Sequence, residues 1–207
     1  MPRPRFDKLA VKKRERILEA AAKEFSANGY DGASLNHILE EAGISKGAAY
    51  YYFNDKADLY ATAVQYYNQE LLAATAFEPA QLTVENFWEG ITEIYRQQFT
   101  RFGERPWVFG VVKAGGSTTA ELFGEGALAE MIEQAQFLLL RLIRHGRELG
   151  VMRDDIPEDL LLSLIVAVDD THDRWLYEHA EKLTPADLEE AAVRMGDVLR
   201  RVAGSDQ

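Results

Sequence analysis

Residues 34–56 read SLNHILEEAGISKGAAYYYFNDK. Ser34 is an N-cap residue whose hydroxyl can accept from the free amides of a helix start. Leu35, Ile38, Leu39 and Ala42 follow at the spacing i, i+3, i+4, i+7, one apolar face of a short helix. Gly43 breaks that helix, and Ile44 supplies an apolar plug beneath a tight turn. Ser45 caps a second short helix over 46–53, and Asp55 caps a third, with Asp58 near the positive end of its dipole. Two short helices joined by Ala42–Gly43–Ile44–Ser45 have the form of a helix-turn-helix. On the second helix Ala49 and Phe53 point inward, and Gly47, Ala48, Tyr50 and Tyr51 point outward. Small residues let a backbone approach a groove, and phenolic hydroxyls can reach phosphates or base edges. Lys46 and Lys56 flank that face with positive charge. The same pattern is open to a second reading, a helical hairpin with a tyrosine cluster in its core.

Upstream, residues 8–28 place Ile17, Leu18, Ala21, Ala22 and Phe25 on one helical stripe, and Gly29 follows as a left-handed cap requires. The first 16 residues hold Arg3, Arg5, Lys8, Lys12, Lys13, Arg14 and Arg16 against Asp7 and Glu15. Residues 1–56 carry 10 Lys and Arg against 8 Asp and Glu; residues 57–207 carry 13 against 26. A basic arm on an acidic body directs one surface toward a polyanion, although such a run is also compatible with a solvated charged tail.

The segment resembles the signature of the TetR family: a helix ending in Ala-Gly, then Ile44–Ser45–Lys46–Gly47, two variable positions, an aromatic triplet followed by Phe53, and Lys56 opening the next helix. Phe25 and Gly29–Tyr30 resemble the pattern that precedes it. The resemblance spans about 50 residues and says almost nothing of residues 80–207. It implies an all-α protein with an N-terminal three-helix helix-turn-helix domain, 1–56, and a C-terminal helical effector-binding and dimerisation domain, 57–207. The implied function is a ligand-responsive transcriptional regulator, by default a repressor. It would bind a palindromic operator in double-stranded DNA as a homodimer and be released by a small, largely apolar effector. The family's DNA contacts fall on Ser34, Ser45, Lys46, Gly47, Ala48, Tyr50, Tyr51, Tyr52 and Lys56. Ala48 departs from the polar or branched residue common there and offers only apolar contact, for instance to a thymine methyl, so base discrimination by this helix is expected to be modest.

The rest of the chain also reads as helix, about nine helices in all by the period of its apolar residues. A helix from Asp55 is expected to end near Phe77, before Pro79; Thr83 opens another; breaks fall at 103–106 and 115–119; a long helix runs from about Ala127 to Gly150. Pro157 suits a first helical turn, and Thr184–Pro185–Ala186–Asp187 marks a strong helix start. Leu160 to Val168 is apolar at eight of nine positions. Paired with the stripe Leu188, Ala192, Met195, Leu199 and Val202, that helix is expected to form half of an intermolecular four-helix bundle; the alternative is a monomer core.

No run of 18 apolar residues appears, so no membrane association is expected. The basic, polar start lacks the h-region of a signal peptide, and cysteine is absent; both fit a cytoplasmic protein. No nucleophile elbow, P-loop, zinc-protease motif or dinucleotide fingerprint is found, so no enzyme, cofactor or metal is expected. Trp88, Tyr95, Phe99, Trp107 and Phe109, with Phe102, Phe123 and Phe137, are many aromatics for one helical domain; they line a pocket or fill a core. Asp169, Asp170, His172, Asp173 and Arg174 interrupt an apolar helix just before Trp175. Asp170, His172 and Trp175 join the candidate effector residues. Three readings of the cluster stay open: a polar pocket wall, buried or dimer-spanning ion pairs, and a metal site short of ligands.

Overall fold

The computed structural model describes residues 2–74, 78–111 and 127–205, the side chains of 71–74 and 127–132 excepted. The break expected at 115–119, Phe123 and the helix end near Phe77 lie outside them. The described helices are α1 (Pro4–Asp7), α2 (Val11–Gly32), α3 (Leu35–Glu41), α4 (Lys46–Tyr52), α5 (Lys56–Ala74), α6 (Phe87–Glu104), α7 (106–111), α8 (Ala127–Glu148), α9 (Glu158–His179) and α10 (Pro185–Ala203). The fold is all-α, and an isolated bridge pairs Met152 with Gly204. The chain forms two compact units: Met1–Leu71 with Trp107–Glu130, and Leu72–Pro106 with Met131–Gln207.

In the first unit, α2 packs on α3 and buries Ile17, Leu18, Ala21, Ala22 and Phe25; Ile38 and Leu39 of α3 and Leu59 and Tyr60 of α5 are buried as well. Phe25 and Tyr60 meet edge to face, 4.8 Å between centroids. The helical path of α2 breaks at Gly29, whose φ is 67°. Between α3 and α4 the chain closes in a Schellman motif: Gly43 N–H donates to Glu40 O (3.0 Å) and Ile44 N–H to Leu39 O (3.0 Å). The motif needs a left-handed residue at Gly43, where φ is 62°. That one residue turns the chain sharply enough to set two seven-residue helices against each other.

The basic arm is shorter than its charge suggested. Residues Pro4–Asp7 form α1, because Pro4 presets the first turn and Phe6 is buried against Phe53, 4.8 Å away, and Tyr52. Arg3 N–H donates to Tyr52 O at 2.8 Å, and its Nε to Asn54 Oδ1 at 3.1 Å.

In the second unit, α10 packs along α6 and more lightly on α9. A Cβ on Gly196 would lie 2.1 Å from Thr92 Oγ1, so the missing side chain is what lets α10 lie against α6. Of the expected stripe of α10, Leu188, Ala192, Met195 and Leu199 are each at most 6% exposed within the single chain, and Val202 is half-buried. This corrects the expectation that the stripe faces a second subunit: Phe87, Ile91 and Phe99 of the same chain supply α6's buried side. α6 starts at Phe87, four residues later than expected, because Asn86 Oδ1 accepts from Thr83 N–H (2.7 Å) and holds 83–86 as a turn. α10 opens with the expected box, Thr184 and Asp187 capping each other's amides.

Candidate nucleic-acid interface and ligand cavity

Ser34 and Ser45 cap their helices as the sequence implied. Ser34 Oγ accepts from His37 N–H (3.3 Å) and Ser45 Oγ from Ala48 N–H (3.2 Å). Beyond Ser45, α4 turns Ala49 inward and leaves Lys46, Gly47, Tyr50 and Tyr51 exposed, with Ala48 half-buried. Tyr50 and Tyr51 are 45% and 48% exposed, a large solvent share for aromatic rings on a helix with an available core. Arg5 sits over Tyr51, 4.3 Å from its centroid. Sequence reasoning placed Arg5 in a charged arm and missed this pairing; the signal was Phe6, the one aromatic residue in a basic run.

Two residues grouped with the DNA contacts are placed otherwise. Tyr52 is buried, its ring edge to face with Phe6, so it serves the docking of α1. Lys56 turns back toward the end of α2: Nζ donates to Asp31 O (3.2 Å) and Ala33 O (3.1 Å) and lies 4.8 Å from the Tyr30 centroid. Carbonyls at a helix end attract a cation, and the lysine spans from α5 to supply it.

A second pairing that sequence reasoning missed joins α2 to α3. Glu24 accepts from Ser34 N–H at 2.8 Å and meets His37 Nδ1 at 2.7 Å. The amide of Ser34, aided by His37, holds the Glu24 carboxyl below its usual range, and Glu24 raises the imidazole.

The second unit holds a cavity of about 200 Å3 between α6, α8, α9 and α10. Of the candidate effector residues, Trp88 and Tyr95 line it. Phe99 is fully buried behind, stacked on His172 at 5.2 Å. Neither ring nitrogen of His172 has a hydrogen-bond partner among the described residues; burial, then nearby Arg194, lowers its pKa against the pull of Asp169. Asp170 and Trp175 are exposed on α9, away from the cavity. Trp107 and Phe109 belong to the first compact unit, where Trp107 meets Tyr67 edge to face at 5.1 Å. These four are corrections to the expected pocket wall. The carboxylate that does face the cavity is Asp169, one residue before Asp170, and it accepts from the Tyr95 hydroxyl at 3.0 Å. Burial above all, and then Asp169, raises the Tyr95 phenol well above its usual value. Among the described residues, no three His, Asp or Glu side chains are grouped to hold a metal ion, and no helix is long and apolar enough to cross a membrane.

Two short helices in a glycine-turned pair, capped by serines and presenting small and phenolic side chains, define a helix-turn-helix DNA-binding protein. Residues 17–63 match the family model described as bacterial regulatory proteins, tetR family. The chain is 26% identical over 156 residues to the HTH-type transcriptional repressor AcnR of Corynebacterium diphtheriae, covering 75% of this chain and 76% of that one. It shares its fold with a TetR family regulator of Chloroflexus aurantiacus (TM-score 0.69, 22% identity, 99% of each chain). FadR of Bacillus subtilis, solved with stearoyl-CoA, is similar at TM-score 0.69 and 16% identity, over 89% of this chain and 96% of that one. Residues 17–63 thus resemble the DNA-binding segment of the tetR family of bacterial regulatory proteins, and the chain has the fold of such regulators.

Proposed function

We propose that the protein is a repressor that binds a palindromic operator as a homodimer and leaves it when a small molecule occupies the cavity of the second unit. The observation that carries this is the pairing, in one chain, of an exposed Tyr50–Tyr51 face on α4 with a mostly apolar cavity beside α6. A ligand releases DNA only through a difference in affinity for two conformations, and a cavity within a helical packing offers that difference.

The homodimer rests on a second observation. α9 buries Leu161 and Ile165 in the chain and leaves Leu160, Leu164 and Trp175 exposed; α10 adds Val193. Apolar side chains on both faces of one helix fit a second copy seated on the open side. A two-fold dimer would read half-sites about one DNA turn apart, roughly 34–36 Å, or a multiple of it. Such a regulator works beside the chromosome, in the cytoplasm.

The test is selection of bound fragments from a random double-stranded DNA pool by the purified full chain. A recurrent palindrome should emerge, and the Tyr50→Ala, Tyr51→Ala double variant should enrich nothing. Enrichment of the same sequence by that variant, or no palindrome from the wild type, refutes the assignment.

A further inference from the structure

The cavity of the second unit sorts ligands by charge. Its walls are apolar, with Trp88 on α6, Leu139 and Leu142 on α8, Ile165 on α9 and Leu199 on α10. No lysine, arginine or histidine is among its described lining residues. The acid in the wall, Asp169, is committed to the protein's own structure: it accepts from the Tyr95 hydroxyl at 3.0 Å and is held by a further interaction besides. Gln98 is placed differently. It follows Trp88, Ile91 and Tyr95 at the spacing i, i+3, i+7, i+10, so α6 turns it to the same wall. It is half-buried, and its carboxamide has no hydrogen-bond partner among the described residues. A carboxamide offers two donor hydrogens and an acceptor oxygen without carrying charge.

We propose that the effector is a compact uncharged lipophile, an apolar ring bearing one amide or carbonyl group that pairs with Gln98; this rests on reading the cavity as the effector site. A polar group left unpaired against apolar walls costs free energy, and a guest that brings the complementary group removes that cost as it binds. A carboxylate guest would lose its water beside Asp169 with no cation in the described wall to receive it. An ammonium or amidinium would have to draw Asp169 away from the Tyr95 hydroxyl to replace the water it gave up. A neutral guest meets neither penalty. Volume narrows the class further. A dry cavity of about 150 Å3 accepts benzene, so about 200 Å3 suits one ring with a short arm and not a long acyl chain.

The experiment is isothermal titration of the full chain with four probes of matched shape: benzamide, benzoate, benzamidinium and isopropylbenzene. They differ in charge and hydrogen bonding and hardly in size. Benzamide should bind at least about tenfold tighter than either ion. Gln98→Leu, close to glutamine in size, should weaken benzamide roughly three- to tenfold and leave isopropylbenzene as tight or tighter. Should that variant not fold, the wild-type ranking alone decides. Leu139→Trp, which fills the cavity, should abolish all binding. Benzoate or benzamidinium binding as tightly as benzamide overturns the proposal, as does benzamide binding unchanged in Gln98→Leu; isopropylbenzene binding would then still mark the cavity as a ligand site. Failure of all four probes, or binding that survives Leu139→Trp, overturns the cavity reading and the proposal with it.

Discussion

The guanidinium of Arg5 lies over the ring of Tyr51, 4.3 Å from its centroid, so α1 and α4 meet at an exposed cation–π contact. Arg5→Ala should weaken operator binding about tenfold, or 1.4 kcal/mol, by freeing the ring and removing a charge beside the DNA face. Arg5→Lys should keep the salt dependence and lose part of the affinity, since an ammonium cannot stack as a guanidinium does. Fluorescence anisotropy at two salt concentrations reads both. Wild-type affinity in both variants would show that Tyr51 needs no support.

Lys56 is expected to act on stability. Its two bonds to the Asp31 and Ala33 carbonyls tie α5 to the end of α2. Charged hydrogen bonds of this kind are worth roughly 1.5–3 kcal/mol, less where water competes, so Lys56→Ala should cost about 1–2 kcal/mol in urea unfolding. A variant of wild-type stability with operator binding lost would instead make Lys56 a phosphate contact.

The Glu24–His37 pair predicts a pH profile. The folded His37 pKa is raised from the ordinary 6.5, so its contribution is full below that value and fades as pH rises through the folded one. Glu24 is lowered from 4.5, so its contribution is present above 4.5 and fades as pH falls through the folded value. The pair therefore helps most between about pH 4.5 and 6.5. The stability gap between wild type and His37→Gln should be larger at about pH 5.5 than at about pH 8.5. A gap that is flat or grows with pH contradicts the pairing.

For the dimer, Leu164 and Leu199 should behave differently. Leu164 is 38% exposed and Leu199 5% in the single chain. Leu164→Glu should give a folded monomer in sedimentation, because a charge is tolerated in water but not at a buried interface. Leu199→Glu should not fold, because the charge enters the core under α6. A dimeric Leu164→Glu would place the two-fold contact on another surface.

The helix-turn-helix was legible because its signals are local. Ser34, Gly43 and Ser45 each act within four residues of themselves, and the cap bonds form where their types implied. What was misjudged depends on partners far along the chain. An apolar stripe such as Leu188–Leu199 must be covered, yet nothing in its spacing says whether α6 or a second copy covers it. Asp169 and Asp170 are adjacent on one helix, and only the approach of Tyr95 from α6 separates the cavity wall from the exposed face. Trp107 and Phe109 were grouped with Trp88 by composition, whereas they fold with the first unit. Lys56 reads as a free cation until the end of α2 curls under it.

Met152 has two attachments. Its side chain helps line the cavity, and its backbone is bridged to Gly204, with Arg153 N–H donating to Ala203 O (2.9 Å) and Ser205 N–H to Val151 O (3.1 Å). A guest that pushes the thioether aside must tug on this two-rung clasp, and one that seats against it must quiet the clasp. The rate at which the Arg153 and Ser205 amide protons exchange with deuterated solvent thus becomes a gauge of occupancy that needs neither DNA nor a label on the guest.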